Sequence, residues 1–187
     1  MLNQSNKKYK FTHNSVMYGD KRLYQIVALK SFGSVLEGDT GGYIQSEKNL
    51  SHEGNCWVAD NAVVFDNARI EDNAYIGGNA AIGGTSLIYG DTFLIGRMAL
   101  MSDADICASN HCIHIDTIGD NSIPTTFYRT QKGIDVAQEV EQCLHECYSI
   151  AEFQEKVENM QVVQINSSLM AIVTSVINLA YHQINYI

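Results

Sequence analysis

The sequence predicts a mainly β protein: a short parallel β-helix built from hexapeptide repeats (residues 49–116), an N-terminal capping hairpin (1–48) and a C-terminal α+β module (117–187). Three observations carry this reading. An aliphatic residue returns at every sixth position from Val58 to Ile106 without a slip. Two β-prone runs around a turn precede that stretch. A further hairpin pattern and two helix signals follow it.

The repeat is most regular in GNCWVADNAVVFDNARIEDNAYIGGNAAIGG, which begins at Gly54. The aliphatic position is held by Val58, Val64, Ile70, Ile76, Ile82, Ile88, Leu94, Leu100 and Ile106. Two residues earlier stands a mostly small side chain, from Cys56 and Ala62 to Met98 and Ala104. Before that come Asn55, Asn61, Asn67, Asn73 and Asn79, preceded in turn by Gly54, Asp60, Asp66, Asp72 and Gly78. A helix repeats near 3.6 and a half-buried strand near 2, so a period of six fits neither. It fits a coil of three short strands and three corners, about 18 residues long. The aliphatic and small residues then point inward and stack on their equivalents. Gly, Asn and Asp occupy the corners, where a left-handed backbone is needed. Nine hexads make roughly three coils. Residues 38–44 and 49–51 are expected to form an irregular first coil, and His111 to Ile115 to close the last.

Residues 18 apart share a face. The position before the aliphatic points outward, which aligns Trp57, Tyr75 and Phe93 on one face with Ile95 beside them. Val63, Ala81 and Ala99, flanked by Phe65 and Met101, mark a second. Arg69, Leu87 and Asp105 mark the third, with Glu71 and Tyr89. Two of three outward faces are apolar, so a cover is expected: a second subunit or the C-terminal helices.

On the N-terminal side, Tyr9 to Met17 and Arg22 to Leu29 flank Tyr18-Gly19-Asp20 as a hairpin, expected to shield the open end of the β-helix. On the C-terminal side, Thr125 to Thr130 and Ile134 to Glu139 flank Gln131-Lys132-Gly133 as another. Ser149-Ile150-Ala151-Glu152 is a capping box that starts a helix to about Met160. Ser167 or Ser168 caps a last helix to about Gln183. Its stripe of Leu169, Ile172, Val173, Val176, Ile177, Ala180 and Ile184 is expected to pack on the prism or on a sister helix.

With 187 residues, 45 % of them apolar, the chain can build one domain and a small appendage. The net charge of −9 disfavours general nucleic-acid binding but leaves room for a small anion in a local basic pocket. Five cysteines, an odd number, and an N-terminus without an apolar signal core predict a cytoplasmic protein with reduced thiols. The apolar run Leu169 to Tyr181 is too short and too polar to span a bilayer, so no membrane partner is expected.

Several segments together resemble a family of phage and prophage hexapeptide-repeat left-handed β-helix proteins. They are Ile26 to Lys30, Val35 to Ile44, Asn49-Leu50-Ser51, Gly54-Asn55, Trp57-Val58 and the Asn-Ala hexads. In the phage members the prism is followed by a module that matches Thr126 to Thr130, Lys132-Gly133-Ile134, Cys147-Tyr148 and Glu152 to Val157. The resemblance runs from about residue 22 to 160. It implies the left hand of the helix and a homotrimer. It also implies a phage-encoded protein in the host cytoplasm, of the kind phages use to sequester nucleotide signals of bacterial immunity. The chain departs from the family at Cys143-Leu144-His145-Glu146-Cys147, where Cys-Gly-Cys is common.

Three chemistries compete. A hexapeptide acyltransferase using coenzyme A would place a histidine as general base, and His111 and His114 near the prism end are the candidates. No long loop interrupts the hexads to build a donor groove, so no catalytic residue is assigned and the histidines read first as the end of the β-helix. Cys143, His145 and Cys147, with His111, Cys112 and His114, invite a zinc reading, but Cys-x3-Cys is not a usual structural spacing and buried thiols explain them better. No cofactor or metal is expected, and no phosphate-binding loop is present. The favoured expectation is a non-enzymatic binder, a sponge holding a small anionic, nucleotide-type ligand between subunits. Its candidate residues are Trp57, Tyr75, Phe93 and Tyr128 for stacking and Arg69, Arg97, Arg129 and Lys132 for phosphates. A protein-binding or structural oligomer, which needs none of these chemistries, is the remaining reading.

Overall fold

The computed structural model describes residues 7–115, 124–141, 144–161 and 167–184. Stacked parallel coils form a β-solenoid of about four turns, one more than the regular hexads supply. The extra turn is the irregular first coil. Its strand β3 (Thr40–Ile44) pairs in parallel with β5 (Val63–Val64) through Tyr43↔Val63, a spacing of 20 rather than 18, and Leu50 bridges Ile70 at the same spacing.

Three faces close the prism. The first stacks β3, β5, β8 (Ala81–Ile82) and β11 (Ala99–Leu100). The second stacks β4 (Trp57–Val58), β7 (Tyr75–Gly78) and β10 (Phe93–Gly96). The third stacks β6 (Arg69–Ile70), β9 (Leu87–Ile88) and β12 (Asp105–Ile106). All nine inward aliphatics are buried, each contributing roughly 1.5–3 kcal/mol. Where polar residues replace the small apolar one, their hydroxyls find carbonyls: Ser86 donates to Gly83 O at 2.7 Å and Thr92 to Tyr89 O at 2.7 Å.

The corners explain the rest of the hexad. Asp60, Asp66, Asp72 and Ser102 have φ of 53°, 56°, 56° and 61°, at the same corner position as Gly54, Gly78, Gly84 and Gly90. Aspartate is tolerated there because its carboxylate accepts a backbone N–H one coil on, Gly78 to Asp60 at 2.8 Å and Gly90 to Asp72 at 3.1 Å. The next residue builds an amide ladder, Asn55 to Asn73 at 3.1 Å and Asn73 to Asp91 at 2.9 Å.

The N-terminal hairpin, β1 (Tyr9–Tyr18) and β2 (Lys21–Ala28), extends the first face by antiparallel pairing of β2 with β3. Its start shields the prism end as expected: the Tyr9 hydroxyl donates to Leu50 O at 2.9 Å. Its tip leans over the prism, where Tyr18 meets Phe65 at 5.1 Å.

At the other end Ser109–His111 make a 3-10 turn that closes the last coil, while β13 (Cys112–Ile115) leaves the prism for a second sheet. That sheet runs β13, β14 (Thr125–Thr130), β15 (Gly133–Glu141), β16 (Leu144–Ser149), all antiparallel. Strand β16 has no counterpart in the sequence reading. Helices α1 (Ile150–Gln161) and α2 (Ser167–Ile184) follow. The capping box forms: Ser149 N–H donates to Glu152 Oε2 at 2.8 Å and Glu152 N–H to Ser149 Oγ at 3.3 Å.

The hairpin tip and the C-terminal module cover the first face. Ile177, Ala180 and Ile184 of α2 pack with Phe127, Ile134, Val136 and Phe153 of the C-terminal module, and α2 also approaches the Ser109–His111 turn that closes the prism. Leu169, Ile172 and Val173 lie outside the described side chains. The sheet's opposite side, with Tyr128 and Ala137, joins the prism core. No helix among the described residues is long and apolar enough to cross a membrane.

Candidate functional site

Three segments distant in sequence meet over the first face of the prism and leave a cleft of about 280 Å³ between them. Its floor is Val63, Ala81 and Ala99, one outward side chain from each coil. One wall is the hairpin tip, Met17 and Tyr18; the other is the C-terminal module, with His114, Pro124, Thr126 and His145. Asn61 and Asn79, linked by an amide hydrogen bond of 3.4 Å, form one rim with Arg97 and Met98.

Each polar group is placed by the local pattern. Arg97 stands at the hexad position that Asn holds in the earlier coils, so the ladder that runs through Asn61 and Asn79 ends in a guanidinium. His114 lies on β13, and its Nδ1 is 2.8 Å from the Thr126 hydroxyl on the neighbouring strand. Thr126 in turn accepts the Ala99 N–H at 3.1 Å, which ties the histidine to the cleft floor. His145 on β16 stacks on Tyr18 at 6.5 Å and so bridges the two walls. Its cross-strand register partner is Glu139. The cleft can accept a ligand with an anionic or hydrogen-bonding head near the arginine and histidines and an apolar part on the Val-Ala-Ala floor.

Of the eight residues singled out as ligand contacts, only Arg97 lines this cleft. Trp57 is buried at 2 % exposure under Phe32 and Tyr9. Tyr75 and Phe93 stack at 5.2 Å on the second face, with Phe93 open to solvent. Arg69 is on the third face, paired with Glu71 at 3.2 Å. Tyr128 is fully buried in the core. Arg129 donates to Asp105 O at 3.0 Å and pairs with its carboxylate at 3.4 Å, and the exposed Lys132 approaches Asp103 at 3.9 Å. These residues are therefore not assembled in one place within the chain.

The two histidines named for acyl transfer separate clearly. His111 is buried and its Nδ1 accepts the Cys107 N–H at 3.4 Å, closing the last turn. Burial, helped by the Arg129 guanidinium, holds its imidazole below the usual histidine range. That is a structural role. His114 instead faces the cleft. Among the described residues no three His, Cys, Asp or Glu side chains gather to hold a metal, and Cys143 lies outside them. Cys112 is half-buried, and desolvation pushes its thiol's titration up to about 12. Sequence reading missed Tyr18, Asn61, Asn79 and Thr126, and took His145 only as a metal ligand. The amide ladder was the one available signal, since its switch to arginine marks where the repeat stops being uniform.

No family model matches the chain. A stretch of 42 residues, 22 % of the chain, is 48 % identical to a protein of Escherichia coli (strain K12) named "Uncharacterized acetyltransferase YdcK". The match spans 13 % of that relative's length.

Proposed function

We propose that the protein is a non-enzymatic binder that holds a small anionic, nucleotide-type ligand in the cleft over the first prism face. The single supporting observation is the convergence of Arg97, His114 and His145 with the Asn61–Asn79 amides on one apolar-floored pocket, in a chain whose net charge is −9. A locally basic pocket on an acidic protein selects small anions and repels polyanions. In its sharpest form this is a phage-type counter-defence sponge, assembled as a trimer in the host cytoplasm, that sequesters a nucleotide-derived immune signal. Native mass spectrometry with a pool of cyclic and ADP-ribose-type nucleotides tests it. The expected result is a discrete added mass, with affinity lowered roughly ten- to hundred-fold by Arg97→Glu and unchanged by Arg69→Glu on the third face. No added mass, or equal affinity in both variants, ends the proposal.

A second reading is acyl transfer from coenzyme A. It is supported by the short match to a protein named as an acetyltransferase and by His114, a cleft histidine oriented by a hydroxyl as a general base would be. It predicts coenzyme A binding in the same cleft and an activity lost in His114→Ala but kept in the folded His111→Gln.

A further inference from the structure

At the N-terminal end of the prism a lysine is buried inside the fold. Lys8 is 1 % exposed. Its Nζ donates to the carbonyls of Cys56 at 2.8 Å, Glu53 at 3.2 Å and Gly54 at 3.4 Å, and the Phe32 ring covers it at 5.0 Å. The same nitrogen lies 3.2 Å from Cys56 Sγ. Cys56, itself 0 % exposed, has among the described residues only backbone carbonyls as further partners, of which Ile70 O at 3.4 Å is nearest. Burial pulls the lysine's titration down and pushes the thiol's up. Neither group belongs to the cleft, and among the described residues each is the other's only side-chain hydrogen-bonding partner.

We propose that Lys8 and Cys56 are a covalent cross-linking site, joined through one oxygen atom as an N–O–S bridge when the protein is exposed to dioxygen. The S–H bond, one N–H bond and the O–O bond break, and S–O and O–N bonds form. Sulfur and nitrogen each give up two electrons. Dioxygen takes all four, leaving one oxygen in the bridge and the other, with the two released hydrogens, as water. The atoms are already in hydrogen-bond contact, so one oxygen enters between them with a small displacement. The packed shell of Tyr9, Phe32 and the first coil admits a small apolar oxidant and excludes bulky thiols that would compete for the sulfur. The bridge fastens the start of β1 to the first coil, the junction on which the hairpin cap depends, and restrains the unfolded chain as other cross-links do.

The test is intact and tryptic mass spectrometry of the full chain, prepared under reductant without oxygen and then incubated in air. The expected product is heavier by one oxygen less two hydrogens, with the added mass on a peptide pair joining Lys8 to Cys56. Thermal unfolding should move to higher temperature and return after reduction. Cys56→Ser, a near-isosteric change, keeps the fold and loses the product; Lys8→Arg also loses it. A Cys56 that stays fully alkylatable after prolonged air exposure and denaturation overturns the proposal. So does a gain of a whole oxygen at Cys56, or an added mass that maps to another cysteine.

Discussion

On the face formed by β3, β5, β8 and β11, the outward residues Val63, Ala81 and Ala99 are 7 %, 5 % and 6 % exposed. On the face formed by β4, β7 and β10, exposure climbs from 2 % at Trp57 to 57 % at Phe93, with Ile95 at 52 %. Both faces are equally apolar in the hexad pattern. They differ in what reaches them. The hairpin tip and the C-terminal sheet close over the first from opposite ends, leaving only the cleft between. Among the described residues, the second is covered at Trp57 by Phe32 at 5.5 Å and Tyr9 at 6.5 Å, and that aromatic cover does not extend to Phe93. A repeat fixes the spacing of outward side chains but not their cover, which comes from segments far away in sequence. The cleft arises where cover is nearly complete.

The sharpest way to break this contrast is to truncate equivalent aromatics at the two ends of the second face. Trp57→Ala should destabilise by about 3–5 kcal/mol, the range for a buried large aromatic. Phe93→Ala, two coils on, should cost about 1 kcal/mol or less, mostly the stack with Tyr75. Urea unfolding of both variants measures the difference. If Phe93→Ala costs as much as Trp57→Ala, a second copy covers that face in solution, and light scattering should show the assembly weakening in the same variant.

Glycines one hexad apart sharpen the contrast further. A Cβ on Gly83 would lie 2.4 Å from the Phe65 ring and 3.0 Å from Met101 Sδ, both buried beside the covered face. A Cβ on Gly77 would meet the end of the Asp60 side chain at 2.9 Å, then Tyr75 at 3.3 Å and Ile95 at 3.4 Å, on the open face. Gly83→Ala should therefore cost about 1–3 kcal/mol through overpacking. Gly77→Ala should cost less, because an exposed isoleucine can move aside and the Asp60 carboxylate needs to shift only slightly, at the expense of its bond from Gly78. Equal costs would mean that the two faces are packed alike.

These variants also mark what was legible beforehand. The prism could be read almost residue by residue, because a period of six repeated over nine hexads leaves one architecture that buries every aliphatic. The hairpins and the capping box at Ser149 were legible from turn and cap chemistry, which is local. Strand β16 was not, because Leu144 to Ser149 carries a cysteine, a histidine and a glutamate that look like ligand chemistry, and its strand identity comes from pairing with β15. The cleft was legible at Arg97 and, as an acyl-transfer candidate, at His114. Tyr18, Thr126 and His145 lie on three elements, and nothing local says that the hairpin tip and the last strand meet. Within the chain, the aromatics expected to stack a ligand are divided between core and surface, as Trp57 and Phe93 show.

The smallest expected effect compares the two ends of the prism through their histidines. At the N-terminal end His52 stacks on Tyr9 at 4.3 Å and its Nδ1 accepts the Lys8 N–H at 3.3 Å. At the C-terminal end His111 accepts the Cys107 N–H. Burial lowers the titration of both, aided at His111 by Arg129. In the unfolded chain both imidazoles titrate near the ordinary value of about 6.5. Between that value and the lower folded one, the unfolded state binds more protons, so stability falls as pH drops below about 6.5 and is flat on this account above it. His111→Gln keeps an acceptor for the Cys107 N–H and removes the titration, so the loss of stability between about pH 7 and pH 5.5 should shrink relative to wild type. His52→Gln should shrink it less, since that ring is only partly buried and Glu47 and Glu53 favour its charged form. Urea midpoints across this range decide it. An unchanged slope in His111→Gln would mean that the closing turn opens enough to hydrate the ring, and that the C-terminal end of the prism is the looser one.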